Sequence, residues 1–75
     1  MDLTLEAQIN MIKPFMPDIK VEVRDLPEED IEAMFGMYEI EYVVLNGTAI
    51  ITQSTEIIYI YNYLQGLYYG LLYRP

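Results

Sequence analysis

From Ile57 to Tyr73 the chain runs for seventeen residues without a charge, and six of them are tyrosine. In a chain of 75 residues such a stretch must enter a bilayer, fill the core or meet a partner, since a contiguous apolar surface is rarely left in water. Its length sits at the lower limit of a membrane span, for which about 20 residues is normal. The phenols, Asn62 and Gln65 would lie at mid-depth instead of in the interfacial belts where tyrosine belongs. A membrane is therefore not an expected partner. On a helix at about 100° per residue the stretch sorts into two arcs. Ile57, Ile60, Tyr61, Leu64, Leu67, Tyr68, Leu71 and Leu72 lie on one. Ile58, Tyr59, Asn62, Tyr63, Gln65, Gly66, Tyr69, Gly70 and Tyr73 lie on the other. Isoleucine and tyrosine also favour strands, but the sorting persists for about five turns, which selects a helix. Ser54 suits its N-cap and Glu56 the positive end of its dipole.

The segment YEIEYVVLNGTAIITQ predicts a β-hairpin, because Asn46-Gly47 between two β-branched runs favours a type I′ turn. That turn sets Leu45 opposite Thr48, Val43 opposite Ile50 and Glu41 opposite Thr52. Ile40, Tyr42, Val44, Ala49 and Ile51 then form the better core face. Near the turn the other face is apolar as well, so a cover is expected there. Upstream, Leu5, Ile9 and Ile12 predict a helix over residues 4–13, capped by Thr4 or Asp2 and ended by Pro14 and Pro17. IKVEV alternates as a half-buried strand. DLPEEDIEAMFG predicts a short helix with acids in its first turn, Gly36 at its end and Ile31, Met34 and Phe35 buried. The expected fold class is α+β in a single domain, 1–75, with element order α-β-α-β-β-α and the long apolar C-terminal helix packed on the sheet.

Several chemistries fall away on composition. Cysteine and histidine are absent, which removes thiolate metal sites, disulfides and the commonest general base. Ser54 is the only serine, and the four glycines make no phosphate-cradling loop. No metal, cofactor or catalytic residue is expected, and the chain does not read as an enzyme. A net charge of −8 opposes direct nucleic-acid binding, since nucleic acid is itself a polyanion. The charge is uneven. Between Glu22 and Glu41 there are eight acids against Arg24 alone. Glu28, Glu29, Asp30 and Glu32, with Glu39 and Glu41 nearby, are the candidate partner-binding residues, because such a field steers toward basic protein surfaces. A solvated helix face with dipole-matched acids is the plainer account of the same residues.

Hydrophobic residues make up 53% of the chain, more than so small a core can hold. Tyr61 and Tyr68 fit the edge of the core, ring inside and hydroxyl outside. Tyr59, Asn62, Tyr63, Gly66, Tyr69, Gly70 and Tyr73 form the candidate self-association surface, with a homodimer as the expected assembly. In size, acidity, lack of catalytic residues and a hairpin VVLNGTAII leading into a helix, the chain resembles the small acidic inhibitors that phages use against host defences, anti-CRISPR proteins among them. The resemblance implies an inhibitor or regulator of a partner protein with a basic surface. The alternative is a structural or assembly protein that oligomerises through its tyrosine-rich helix. MDLTLEAQIN has neither a basic start nor a long apolar run, so it does not read as a signal peptide. The expected location is the cytoplasm of a cell or of an infected host.

Overall fold

The computed structural model describes residues 2–73, and side chains from Leu5 onward. The elements are α1 (Asp2–Ile12), β1 (Ile19–Asp25), α2 (Glu28–Ala33), β2 (Ile40–Asn46), β3 (Ala49–Ser54) and α3 (Ile57–Leu72). This is the expected α+β order. The cap assigned to Thr4 or Asp2 lies outside the described side chains. α1 unwinds where Pro14 removes a donor: the Phe15 and Met16 amides both turn back onto the Ile12 carbonyl, at 2.9 and 3.0 Å.

The sheet is antiparallel in the order β1-β2-β3, so β2 is interior and both neighbours are edges. β1 meets β2 with Ile19 opposite Asn46, Val21 opposite Val44 and Arg24 opposite Glu41. The hairpin between β2 and β3 departs from the expected register. Asn46 pairs with Ala49 and Leu45 with Ile50, so the loop is Gly47-Thr48 and not Asn46-Gly47. Gly47 alone takes positive φ, +66°, which is the type II′ pattern with glycine first. A bulge between Val44 and Leu45 then sets Val44 opposite Thr52 and Tyr42 opposite Ser54. The expected pairs Leu45–Thr48, Val43–Ile50 and Glu41–Thr52 are thus all displaced. A glycine-first turn and a bulge both fit this sequence, and alternation by itself does not count residues across a loop.

α1 and α3 cover one face of the sheet. Ile12, Ile19, Val44, Ile60 and Leu64 form the buried centre, with Tyr42, Ile51, Leu67 and Leu71 packed against it. The expected core face is therefore the observed one, although Ile40 and Ala49 reach its exposed margin. Val43 and Leu45 are buried on the opposite face, in register with Glu22 and Lys20 of β1 and with Gln53 and Ile50 of β3. α3 is helical throughout Ile57–Leu72, and the two arcs separate nearly as drawn. Tyr63 departs toward the core and Leu72 toward solvent. Ser54 does not cap α3. It ends β3, and its hydroxyl accepts the Glu56 amide at 3.0 Å, while Glu56 occupies the N-cap in extended backbone. α1 is tied to α3 by the Gln8 side-chain amide, which donates to the Tyr61 carbonyl at 3.0 Å.

Candidate functional site

Residues 27–38 form an arm between β1 and β2, and its base is closed. The Leu26 amide donates to the Glu39 carbonyl at 2.9 Å, which carries the β1–β2 ladder one step further. Leu26 is buried there. Pro27 begins the helical turn, since its fixed φ (−58°) suits a helix start. Glu28, Glu29 and Asp30 fill the first turn, where the helix dipole favours them. α2 has no buried residue, and its backbone comes near no other helix or strand.

The arm's helix ends in a Schellman motif. The Phe35 amide reaches the Glu32 carbonyl at 3.0 Å, and the Gly36 amide reaches the Ile31 carbonyl at 2.9 Å. In that motif the left-handed position is normally glycine. Here Phe35 holds it, with φ +57°, and Gly36 follows at +72°. A left-handed non-glycine residue costs about 1–2 kcal/mol. Phe35 was expected in the core beside Ile31 and Met34, but it is 92% exposed and Met37 is 72% exposed. Ile31 and Met34 are half-buried. The helical spacing that suggested burial stops one residue too soon, because Met34 already caps the helix. Gly36 was the available signal: a glycine just past a helix marks left-handed backbone beside it.

The arm is pinned where it returns to its base. Tyr38 donates its phenolic hydrogen to Glu56 Oε1 at 2.7 Å, joining the arm to the start of α3. That hydrogen bond, and the nearby carboxylate charge, hold the Tyr38 phenol above its usual pKa of 10.0.

Of the six acids, Glu28, Glu29, Asp30 and Glu32 stand exposed on α2, and Glu39 sits exposed at the arm's base. Glu41 is separate: it lies within β2, half-buried, opposite Arg24. None of the six joins an ion pair among the described residues. The ion pairs there belong to Glu22, which bonds Lys20 at 3.2 Å and Arg24 at 3.0 Å. Those two cations, Arg24 foremost, hold the Glu22 carboxyl below its usual pKa of 4.5.

On α3, Tyr59, Asn62, Gly66, Tyr69 and Gly70 are exposed, as is Tyr73 just past its end, whereas Tyr63 is half-buried against the core. Tyr59 stacks on Tyr63 and Tyr69 on Tyr73, with ring centroids 6.4 and 6.3 Å apart. A Cβ built on Gly66 or Gly70 would meet nothing within 4 Å among the described residues, so neither glycine serves a close approach between them. Among the described residues no group of three or more carboxylates is placed to hold a metal ion, and no helix is long and apolar enough to cross a membrane. No protein-family model, curated protein or solved structure matches this chain.

Proposed function

We propose that this chain is a non-enzymatic protein-binding module, an inhibitor or regulator, whose arm docks on a partner with a basic surface. Phe35 carries the reading. A phenylalanine held fully in water, in backbone that favours glycine, is a cost to the fold without a visible return inside it. Exposed aromatics are the usual anchors of interfaces. Four α2 carboxylates beside it supply the steering field, and Met37 supplies an adaptable apolar neighbour. The partner's complement is an apolar pocket with a basic rim.

The test is binding by the intact chain to a captured partner. Charge reversal of Glu29 and Glu32 should slow association, and the wild-type on-rate should fall steeply with salt as the Debye length shrinks to about 8 Å near 0.15 M. Phe35→Gly should stabilise the fold by about 1 kcal/mol through relief of the left-handed strain while weakening capture at least about tenfold, the loss typical of an interface anchor. A Phe35→Gly chain that binds unchanged removes the arm from the interface.

A second reading, assembly through α3, is favoured by Gly66 and Gly70, which are small where nothing among the described residues needs them small. Gly66→Leu should then lower the oligomeric mass without lowering stability.

A further inference from the structure

β1 is an edge strand of seven residues, and its backbone bonds divide by parity. The Gly47 amide donates to the Asp18 carbonyl at 3.0 Å, and the Leu26 amide to the Glu39 carbonyl at 2.9 Å. Both belong to the same antiparallel ladder, in which bonded and outward-facing residues alternate. Asp18, Lys20, Glu22, Arg24 and Leu26 therefore direct their backbone groups to β2. Ile19, Val21, Val23 and Asp25 direct theirs to the free edge. The Ile19 amide is taken by the Met16 carbonyl at 3.1 Å, and the others are open among the described residues.

The side chains follow the same alternation. Val21 and Val23 lie on the helix side of the sheet, where they line a groove of about 380 Å³ with Leu5 and Ile9 of α1 and with Tyr42. Val23 is 58% exposed. On the other side stand Lys20, Glu22 and Arg24, linked by the two ion pairs. Natural sheets rarely leave so long an edge open unless something pairs with it or charge guards it.

The order of the charges tells which. The segment DIKVEVR (18–24) is antisymmetric in charge about Val21. If a second copy is laid antiparallel with its Val21 opposite this one, Lys20 faces Glu22 of the second copy and Asp18 faces its Arg24, each twice. On the groove side Ile19 faces Val23 of the second copy, and Val21 faces its own counterpart. Within residues 18–24 every outward residue then meets an outward residue. The adjacent registers of the same parity fail. One sets Glu22 against Glu22 and Lys20 against Arg24. The other sets Lys20 against Lys20 and Asp18 against Glu22. Like charges directly opposite are destabilising.

We propose that β1 is a self-recognition edge: two copies pair antiparallel over residues 18–24 about a twofold axis at Val21, joining two three-stranded sheets into one of six. This rests on neither reading of the arm nor of α3. It is an isologous contact, so it closes at two copies.

The charge order gives the test its specificity. Glu22→Lys places lysine opposite Lys20, and Lys20→Glu places glutamate opposite Glu22, so each variant alone repels its own copy. Mixed together they complement at both pairs. In sedimentation at high micromolar concentration, wild type should be a dimer and each variant should weaken by about tenfold or more. The equimolar mixture should recover a heterodimer of near wild-type affinity. Exposed ion pairs contribute little to folding, so circular dichroism should be unchanged. If a variant is unfolded, Val23→Pro decides, because it removes an outward amide that the β1–β2 ladder does not use. That variant should be monomeric and folded. A monomeric wild type, a single charge variant or a folded Val23→Pro that still dimerises, or a mixture of folded variants that stays monomeric, overturns the proposal. So does loss of the dimer in Gly66→Leu alone.

Discussion

Gln8 and Phe35 are the two side chains whose chemistry and place in the fold disagree most. The Gln8 amide nitrogen bonds the Tyr61 carbonyl at 3.0 Å, but its Oε1 is buried with no partner among the described residues. The Tyr61 carbonyl lies inside α3 and already accepts a helical amide, so it does not depend on Gln8. Gln8→Met keeps the shape and removes the stranded oxygen. It should therefore stabilise the chain by roughly 1 kcal/mol, the net cost of a stranded acceptor set against one ordinary hydrogen bond. Urea denaturation measures this, and a midpoint lower than wild type would mean that the interhelical bond outweighs the orphan. Phe35 was not legible from spacing, since Ile31, Met34 and Phe35 fit one helical face and only the backbone shows that the helix stops at Met34. Gly47 is the parallel case in the hairpin. Asn-Gly announces a turn, but whether glycine sits first or second in the loop depends on how β3 packs, and the packing chose first.

Among elements, α3 was the most legible, because a long stretch repeats its pattern often enough to exclude the strand alternative. Ile60 and Leu64, fully buried, come from the arc that sequence periodicity assigned inward. α2 was the least legible. At six residues it is too short for periodicity to decide, and its acids argue equally for a cap and for a surface. The order of charges in β1 was in plain view but carries meaning only once β1 is known to be an edge. The arm's pin to α3 has a pH signature. The Tyr38 phenol is held above 10.0 by Glu56, so the contact favours folding below the ordinary phenol pKa and is lost as pH rises through the raised value. In absorbance titration near 295 nm, Tyr38→Phe should delete a phenol that ionises above pH 10, and Glu56→Gln should return that phenol toward its usual value. A Glu56→Gln titration that overlays wild type would show that the pin is absent in solution.

The molecule is long for its mass. Its principal extents are 45 × 23 × 21 Å and its radius of gyration is 13.6 Å, against about 11 Å for a compact chain of this length. Its accessible surface is 5293 Å², where a globular monomer of this mass has about 4,800 Å². An elongated shape with exposed Phe35, Met37, Val23 and Tyr73 has area to lend to partners, and that excess was foreshadowed by a hydrophobic content too large for the core. The closed base of the arm adds something different. Everything before Phe35 supplies α1, β1 and α2, and everything after it supplies β2, β3 and α3. The buried centre draws Ile12 and Ile19 from the first part and Val44, Ile60 and Leu64 from the second. Neither part can build that centre alone, and each holds the other's missing half. A cut at the exposed Phe35–Met37 tip should therefore leave a two-piece molecule that still shows native circular dichroism. Its melting temperature should rise with concentration, because reassembly has become bimolecular. A cut chain that melts independently of concentration would mean that the pieces do not interlock. If they do, the arm is a ready-made split point: two inert fragments that report, by regaining structure, whenever something brings them together.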